Sequence, residues 1–173
     1  MTSRDVLALY EQTNAAGITI WIDGGWGVDA LLGKQTRAHK DLDIAIERKD
    51  VPAFRPLLER QGYTETHLEY ARPWNFVLGD VQGREVDVHV IVFDAQGNGL
   101  YGPVEQGIMY PAASLTGTGT IDRHVVRCIS PEWMVKFHSG YALTEKDFTD
   151  VSALCDKFGI ELPDEYARFE KPS

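Results

Sequence analysis

The chain contains very little cysteine: Cys128 and Cys155 are the two cysteines among its 173 residues. They form no Cys-x-x-Cys pair, so a thiolate zinc site is not expected, and two separate cysteines are typical of small buried side chains in a reducing compartment. No apolar run approaches the roughly 20 residues that cross a membrane. The first residues, Met1 to Asp5, also lack the apolar segment of a signal peptide. These absences predict a cytoplasmic protein.

Positive charge is also scarce. Lys and Arg number 17 against 26 Asp and Glu, and the net charge is −9. Nucleic-acid binding depends on a basic stripe, which the sequence does not contain, so nucleic acid is not an expected partner. A small cationic substrate suits such an acidic surface. An anionic one, such as a nucleotide, would need a metal ion between its phosphates and the protein's carboxylates.

The remaining composition is that of an ordinary globular protein, with 43% hydrophobic and 25% charged residues. This length corresponds to one domain, 1–173. Hydrophobic periodicity and turn residues predict alternating helices and strands in the first part of the chain: a helix from Ser3 to Ala16, strands at 18–22 and 41–46, helices at 26–32 and from Asp50 to Gly62, and strands at 63–70, 74–78 and 84–93. They then predict a long loop over 94–119 and a strand at 125–129. Two late helices follow within about 131–158, the first ending near Tyr141 and the second spanning 144–158, before a frayed tail at 159–173.

Acidic residues alternate with apolar ones on two of the predicted strands. Asp41 and Asp43 share one face of the first, because residues two apart in a strand point the same way. Glu85, Asp87 and His89 share one face of the second. If the two strands are neighbours, three aspartates project into one space and repel one another unless a cation lies between them. Oxygen ligands favour Mg²⁺ or Mn²⁺, ions that also accompany nucleotide phosphates.

The alternation alone leaves two interpretations open, since Asp41, Asp43 and Asp87 could also form the solvated faces of ordinary amphipathic strands. A second feature favours the metal site. Gly24 and Gly25 form a turn between a strand and a helix, where the backbone can approach a ligand and free N–H groups can bind phosphate. A phosphate-binding turn followed by an Asp-x-Asp strand is what metal-dependent nucleotidyl transfer requires.

These motifs resemble a known family. The stretch 22–29 (Ile-Asp-Gly-Gly-Trp-Gly-Val-Asp) followed by 37–43 (Arg-Ala-His-Lys-Asp-Leu-Asp) is similar to the small lincosamide nucleotidyltransferases and, less closely, to the aminoglycoside 2″-nucleotidyltransferases. The resemblance continues through 86–89, 128–130, 137–141 and 147–150, but 98–124 matches poorly. Both groups belong to the polymerase-beta-like superfamily, in which Ser usually stands where this chain and its branch have Trp26.

The resemblance implies an α/β fold with a mixed, twisted sheet flanked by helices, and transfer of AMP from ATP to an antibiotic hydroxyl. Asp41 and Asp43 would bind Mg²⁺ or Mn²⁺. Asp87 would complete the metal site and act as general base. The turn Gly24-Gly25-Trp26 would hold the triphosphate.

Five further residues are assigned to the site on weaker grounds. Arg37, His39 and Lys40 precede the Asp-x-Asp strand and could offset the charge of the triphosphate, although an ordinary polar loop is the alternative. Asp147 and Asp150 share one face of a late helix and could grip a cationic acceptor, or could simply be solvated.

His89 is expected beside the metal site, as a partner of a ligating carboxylate or of the substrate rather than as a direct ligand.

Three functions remain open at this point. A lincosamide is the expected acceptor. The same chemistry on an aminoglycoside or another acceptor is the alternative, and a nucleotide-binding regulatory module without turnover is a third. Because one small domain offers only a shallow cleft, a homodimer is expected.

Overall fold

The computed structural model describes residues 1–66, 71–103 and 109–169, and within them the chain forms five α-helices and nine strands. The helices are α1 (Ser3–Ala15), α2 (Gly24–Leu32), α3 (Val51–Glu59), α4 (Pro131–Phe137) and α5 (Glu145–Phe158). The strands are β1 (Ile20–Ile22), β2 (Asp41–Glu47), β3 (Thr64–Thr66), β4 (Asn75–Gly79), β5 (Glu85–Phe93), β6 (Gly99–Tyr101), β7 (Met109–Tyr110), β8 (Gly117–Ile121) and β9 (His124–Cys128). No helix in these ranges is both long and apolar enough to cross a bilayer.

All nine strands belong to one mixed sheet, flanked by the helices as predicted. Its main path runs β3-β4-β5-β2-β1-β9-β8, and β6 and β7 extend from β5. The pairs β2–β5 and β1–β9 are parallel, whereas the remaining pairs are antiparallel. The two strands that carry the acidic residues are therefore direct neighbours at the centre of the sheet.

The apolar faces of β2 and β5 lie in the core. Leu42, Ile44 and Ile46 are fully buried, and Val86 and Val88 on the neighbouring strand are fully buried beside them. The alternation in sequence is thus a real division between a core face and a second face that carries the acidic groups. That burial fixes which way the acidic side chains point.

Helix α2 begins directly after β1 and is held at both ends. Asp23 is its N-cap and accepts a hydrogen bond from the Gly24 N–H at 2.8 Å. Gly33 ends it in the left-handed conformation, with φ +73°. The helix starts two residues earlier than predicted, because the Gly-Gly turn is itself its first turn.

Several predicted boundaries were wrong. Helix α1 is capped by Thr2, in a capping box with Asp5, rather than by Ser3. Helix α4 ends at Phe137, before the predicted Tyr141. The strand predicted over 63–70 spans Thr64–Thr66, and residues 67–70 lie outside the described part of the chain.

Two segments are more ordered than expected. The predicted loop over 94–119 contains β6, β7, a 3₁₀ helix at Ala112–Thr116 and the start of β8, because β6 pairs with the second half of β5 and continues the sheet. The tail was predicted to be frayed, yet Asp164–Phe169 forms a 3₁₀ helix. Its Tyr166 is fully buried and lies against Phe148 of α5, which supplies the apolar contact that orders the segment.

Candidate active site

Asp43 and Asp87 lie directly opposite each other on the parallel pair β2–β5. Asp41 is opposite Glu85 in the same register, two residues nearer the start of β2, and is exposed. The expectation that the two acidic strands are neighbours is therefore confirmed. The register of the sheet places Asp43 and Asp87 side by side, whereas Asp41 lies at the exposed edge of the site.

Charge is crowded around Asp43. Burial, followed by the negative charges of Asp23, Asp41 and Asp87, raises the pKa of Asp43 to about 7, while Lys146 acts in the opposite direction. Near neutral pH this carboxyl therefore holds a proton or requires a positive charge beside it.

The pKa of Asp87 is also raised by burial. Nearby His89, and the Asn75 side chain that donates a hydrogen bond to Asp87 Oδ1 at 2.7 Å, oppose this shift. Asn75 thus holds the Asp87 carboxylate in place, and a carboxylate oxygen that accepts one hydrogen bond still has a lone pair for a ligand.

Asp23 is a fourth carboxylate, which sequence reasoning missed. It is 6% exposed, its Oδ1 accepts from the Gly24 N–H, and its Oδ2 accepts from the Tyr110 hydroxyl at 2.9 Å. Its backbone N–H donates to the Asp43 carbonyl at 2.9 Å. An Asp before a Gly-Gly helix start is an N-cap signal, which could have revealed it.

His89 lies between the carboxylates of Asp23 and Asp87. Its Nδ1 is 2.7 Å from the Tyr110 hydroxyl, and its Nε2 is 3.7 Å from Asp87 Oδ1. Asp43, Asp87 and His89 offer three ligand atoms within 4.8 Å of one another. Two carboxylates and an imidazole are a donor set that fits a divalent cation, so the residues present suit the metal that the chemistry implies.

The two glycines of the turn make room for neighbouring side chains. A Cβ on Gly24, whose φ is +54°, would overlap the Asp43 carboxylate. A Cβ on Gly25 would overlap His39 and Arg37. The glycines thus bring the start of α2 against the acidic groups, and the first-turn N–H groups of α2 have no intrahelical acceptor and can bind an anion.

Arg37 and His39 form a chain of contacts behind this turn. Arg37 donates to His39 Nδ1 at 2.9 Å and to Asp150 Oδ2 at 2.9 Å. The other ring nitrogen of His39 is 2.5 Å from Asp29 Oδ2. Because His39 and Asp150 are buried, both serve this network rather than the open cleft, which differs from the expected grip of Asp150 on an acceptor.

The other predicted binding residues are placed less directly. Trp26 is buried and its indole packs on the His39 ring, so the indole belongs to the core behind the turn. Lys40 pairs with Glu85 at 2.9 Å near the surface. Asp147 closes the capping box of α5 with Thr144, and its Oδ1 accepts from the Tyr141 hydroxyl at 3.0 Å.

A cavity of about 420 Å³ opens beside the carboxylates. Its lining includes Asp23, Gly24, Asp43 and His89. It also includes four aromatic side chains, Tyr101, Tyr110, Phe137 and Tyr141. The cavity thus combines charged groups with aromatic surface, an arrangement suited to a phosphate group and a bulky organic acceptor.

The mixed sheet, with carboxylates on two adjacent parallel strands below a glycine turn, defines a nucleotidyltransferase fold. Residues 5–154 match the model of the aminoglycoside-2″-adenylyltransferase family. The chain belongs to this family, whose homologues are antibiotic adenylyltransferases.

Individual relatives agree with this placement. The chain is 33% identical over 156 residues to a lincosamide resistance protein of Staphylococcus haemolyticus, covering 89% of this chain and 94% of that protein. A 2″-aminoglycoside nucleotidyltransferase of Escherichia coli is 44% identical over 57 residues, 33% of this chain and 30% of its own.

Two solved structures share the fold. The lincomycin-bound lincosamide adenylyltransferase LnuA superposes with a TM-score of 0.77 at 30% identity, over 89% of this chain and 96% of that one. ANT(2″)-Ia in complex with adenylyl-2″-tobramycin gives 0.70 at 19% identity, over 97% and 98%, and supports the fold alone.

Proposed function

We propose that the protein transfers AMP from ATP to a hydroxyl group of a lincosamide antibiotic and thereby inactivates it. The observation that carries this proposal is the Asp43–Asp87 pair beside the Gly24 turn, in a chain that is similar to a lincosamide resistance protein over 94% of that relative's length. The pair supplies the charge arrangement that nucleotidyl transfer needs, and the similarity indicates the acceptor.

Binding of the nucleotide would use the turn and the nearby cations. The first-turn N–H groups of α2, at Gly25 and Trp26, would donate to phosphate oxygens. The side chain of Arg37 is partly exposed to solvent, and the side chain of Lys40 is exposed to a larger extent. Lys146 acts electrostatically on Asp43, which places a further positive charge on the phosphate side. His39 would act through Arg37 rather than by direct contact.

A divalent ion, Mg²⁺ or Mn²⁺, held by Asp43 and Asp87 with Asp41 nearby, would neutralise phosphate charge and favour attack at the α-phosphorus. Asp87 would accept the proton of the acceptor hydroxyl as the new O–P bond forms and pyrophosphate leaves. Asn75 would keep the carboxylate of Asp87 oriented for this step. Most of the catalysis would come from positioning and electrostatics.

The acceptor would lie against the aromatic side chains of the cavity. Tyr101, Phe137 and Tyr141 offer apolar surface for a sugar ring and its substituents, and the Asp147 carboxylate accepts a hydrogen bond from the Tyr141 hydroxyl. A basic amine on the acceptor would be attracted by the acidic surface. Asp150 is occupied by Arg37 and is not proposed to contact the acceptor.

The test is mass spectrometry of lincomycin and kanamycin after incubation with the protein, ATP and Mg²⁺. The proposal expects lincomycin to gain the mass of one AMP. Modification of kanamycin alone would establish the aminoglycoside alternative, which the 57-residue match favours. ATP binding without modification of either compound would indicate a binding module. The Asp87→Asn variant is the matched control, because any AMP transfer that remains in it does not use this site.

A homodimer remains part of the proposal, because the cavity is partly open to solvent and a second chain could cover it. Light scattering coupled to size-exclusion chromatography would measure the mass of the particle. A mass of one chain at assay concentration would contradict it.

A further inference from the structure

A chain of hydrogen bonds links Asp23, Tyr110 and His89 beside the acidic pair. The Tyr110 hydroxyl is 2.9 Å from Asp23 Oδ2 and 2.7 Å from His89 Nδ1. The three residues come from the start of α2, from β7 and from β5, so the chain joins three separate elements at one point. Neither the expected roles of the aspartates nor the fold itself requires it.

The directions of these hydrogen bonds follow from the single hydroxyl proton of Tyr110. Asp23 is at the N-terminus of α2, and its two carboxylate oxygens accept from the Gly24 N–H and from the Tyr110 hydroxyl. Tyr110 is 6% exposed, and burial followed by the charge of Asp23 raises its pKa well above the usual value, so it remains a phenol. Since its proton is donated to Asp23, its oxygen can only accept from His89 Nδ1–H.

Because Nδ1 is engaged by Tyr110, Nε2 is the ring nitrogen of His89 that can bind a metal ion. Nε2 is on the side of the ring that faces the acidic pair, 3.7 Å from Asp87 Oδ1. That distance is too long for a hydrogen bond. It lies within the span of two donors that share one ion, which is at most about 4.2 Å for bonds of about 2.1 Å. The Tyr101 ring, 5.2 Å from the His89 ring, packs on the imidazole and limits its rotation.

We propose that His89 is a nitrogen ligand of the divalent ion, alongside Asp43 and Asp87, and that Tyr110 is a positioning residue that fixes its tautomer. The inference rests on the proposed function for the presence of an ion, but it assigns His89 a role that the sequence did not predict. A nitrogen donor favours Mn²⁺ over the harder Mg²⁺, because Mg²⁺ gains little from imidazole. The site should therefore bind Mn²⁺ more tightly than an all-oxygen site would.

The tautomer is measured first, on the wild-type protein with ¹⁵N-labelled histidine and no metal. Two-bond ¹H–¹⁵N correlation spectra, recorded at a pH where the imidazole is neutral, should show the His89 proton on Nδ1 rather than on Nε2. Tyr110→Phe should shift the ring toward the other tautomer. Tyr101→Phe, which removes a neighbouring hydroxyl and keeps the phenol of Tyr110, should not. A wild-type ring protonated on Nε2 would overturn the proposal, whether or not the variants fold.

Metal binding is measured next, with Mn²⁺ as the probe and no nucleotide. Pulsed electron paramagnetic resonance should detect ¹⁴N coupling to the bound Mn²⁺, and His89→Gln should abolish it. Calorimetry should find Mn²⁺ bound about 10–100-fold more weakly by Tyr110→Phe, the range for loss of a residue that orients a ligand. His124→Gln, at an exposed histidine of β9, controls for the loss of any imidazole.

The two proposals fail in different ways. If lincomycin is adenylylated but Mn²⁺ shows no nitrogen coupling, the function stands and His89 is not a ligand. If nitrogen coupling is present but no acceptor is modified, the metal site stands and the proposed function is wrong. A Mg²⁺ to Mn²⁺ affinity ratio that is unchanged by His89→Gln would also overturn the inference.

Discussion

The Cα of Gly24 is so close to the carboxylate of Asp43 that a methyl group on it would overlap the carboxylate oxygen. The first residue of α2 and the central aspartate of β2 are thereby held in direct contact. This contact joins the part of the site proposed to bind phosphate to the part proposed to bind metal.

Gly24→Ala should fold but lose most of its activity, because the added methyl must displace the Asp43 carboxylate. The left-handed φ adds a strain of about 1–2 kcal/mol. Gly62→Ala is the matched control, since Gly62 also has a positive φ, +89°, but has open space around it. Thermal unfolding and turnover are measured for both variants. Equal activity of the two would contradict a role for the contact.

Asp43→Asn should stabilise the metal-free protein, and the gain should grow with pH. The pKa of Asp43 is about 7 in the folded protein and near 3.8 in the unfolded chain, so folding retains a proton between these values. In the wild type, the contribution of the Asp43 carboxyl to the free energy of unfolding is fully present below about pH 4. It is lost as the pH rises through 7. The variant, which cannot ionise, escapes that loss.

The measurement is the difference in melting temperature between Asp43→Asn and wild type at pH 5 and pH 8, in chelator. It should be larger at pH 8 by several degrees. Asp156→Asn, at an exposed aspartate of α5, controls for removal of one negative charge. A difference that shrinks with rising pH would show that Asp43 is not crowded by negative charge.

Asp87→Asn should lower turnover at least about a hundredfold, the usual effect of losing a general base, while the fold survives. The shape and the Asn75 contact are nearly preserved, whereas the charge and the proton acceptor are lost. Glu85→Gln, on the same face of the same strand, is the control and should retain most activity. If Glu85→Gln is the more damaged variant, the base is Glu85.

Chelation should abolish transfer, since crowded carboxylates alone repel the triphosphate. Addition of Mg²⁺ or Mn²⁺ in excess of EDTA should restore the original rate. Pyrophosphate release, followed by a coupled assay, reports the recovery. Full activity in chelator would exclude the metal-dependent mechanism.

Asp150→Asn should raise the KM for ATP more than the KM for lincomycin. Its carboxylate holds Arg37, which in turn contacts His39 and lies against the Gly25 turn, so the effect is transmitted to the nucleotide side. Asp147→Asn should show the opposite balance if the acceptor amine lies near Tyr141. Steady-state kinetics with each substrate varied in turn separate the two. A larger effect of Asp150→Asn on lincomycin would restore the original expectation for this residue.

The central part of the fold could be predicted from the sequence because periodicity determines it. Asp41, Asp43 and Asp87 alternate with buried residues, and that alternation is enough to place each of them on the face of its strand that points away from the core. It leaves open whether the two strands are neighbours, which the structure shows. The alternation carries no information about register, however. It therefore could not distinguish Asp43, which is opposite Asp87, from Asp41, which is opposite Glu85.

The remaining features of the site depend on contacts between distant segments. Tyr110 meets Asp23 across 87 positions of sequence, and Arg37 meets Asp150 across 113. No local pattern marks either pair. Residues 94–119 were interpreted as a loop because their short strands are rich in Gly and carry little alternation, although pairing with β5 orders β6 there.

The parallel pairing of β2 with β5 couples correct folding to a correctly assembled site. A displacement of one residue between these strands would turn Asp43 or Asp87 toward the core and bring a fully buried valine or leucine to the solvent side. The same burial of apolar side chains that stabilises the native pairing therefore also selects against chains with misplaced carboxylates. Molecules in which β2 and β5 pair with a shifted register would be unstable and would unfold. They would therefore not accumulate as folded but inactive protein.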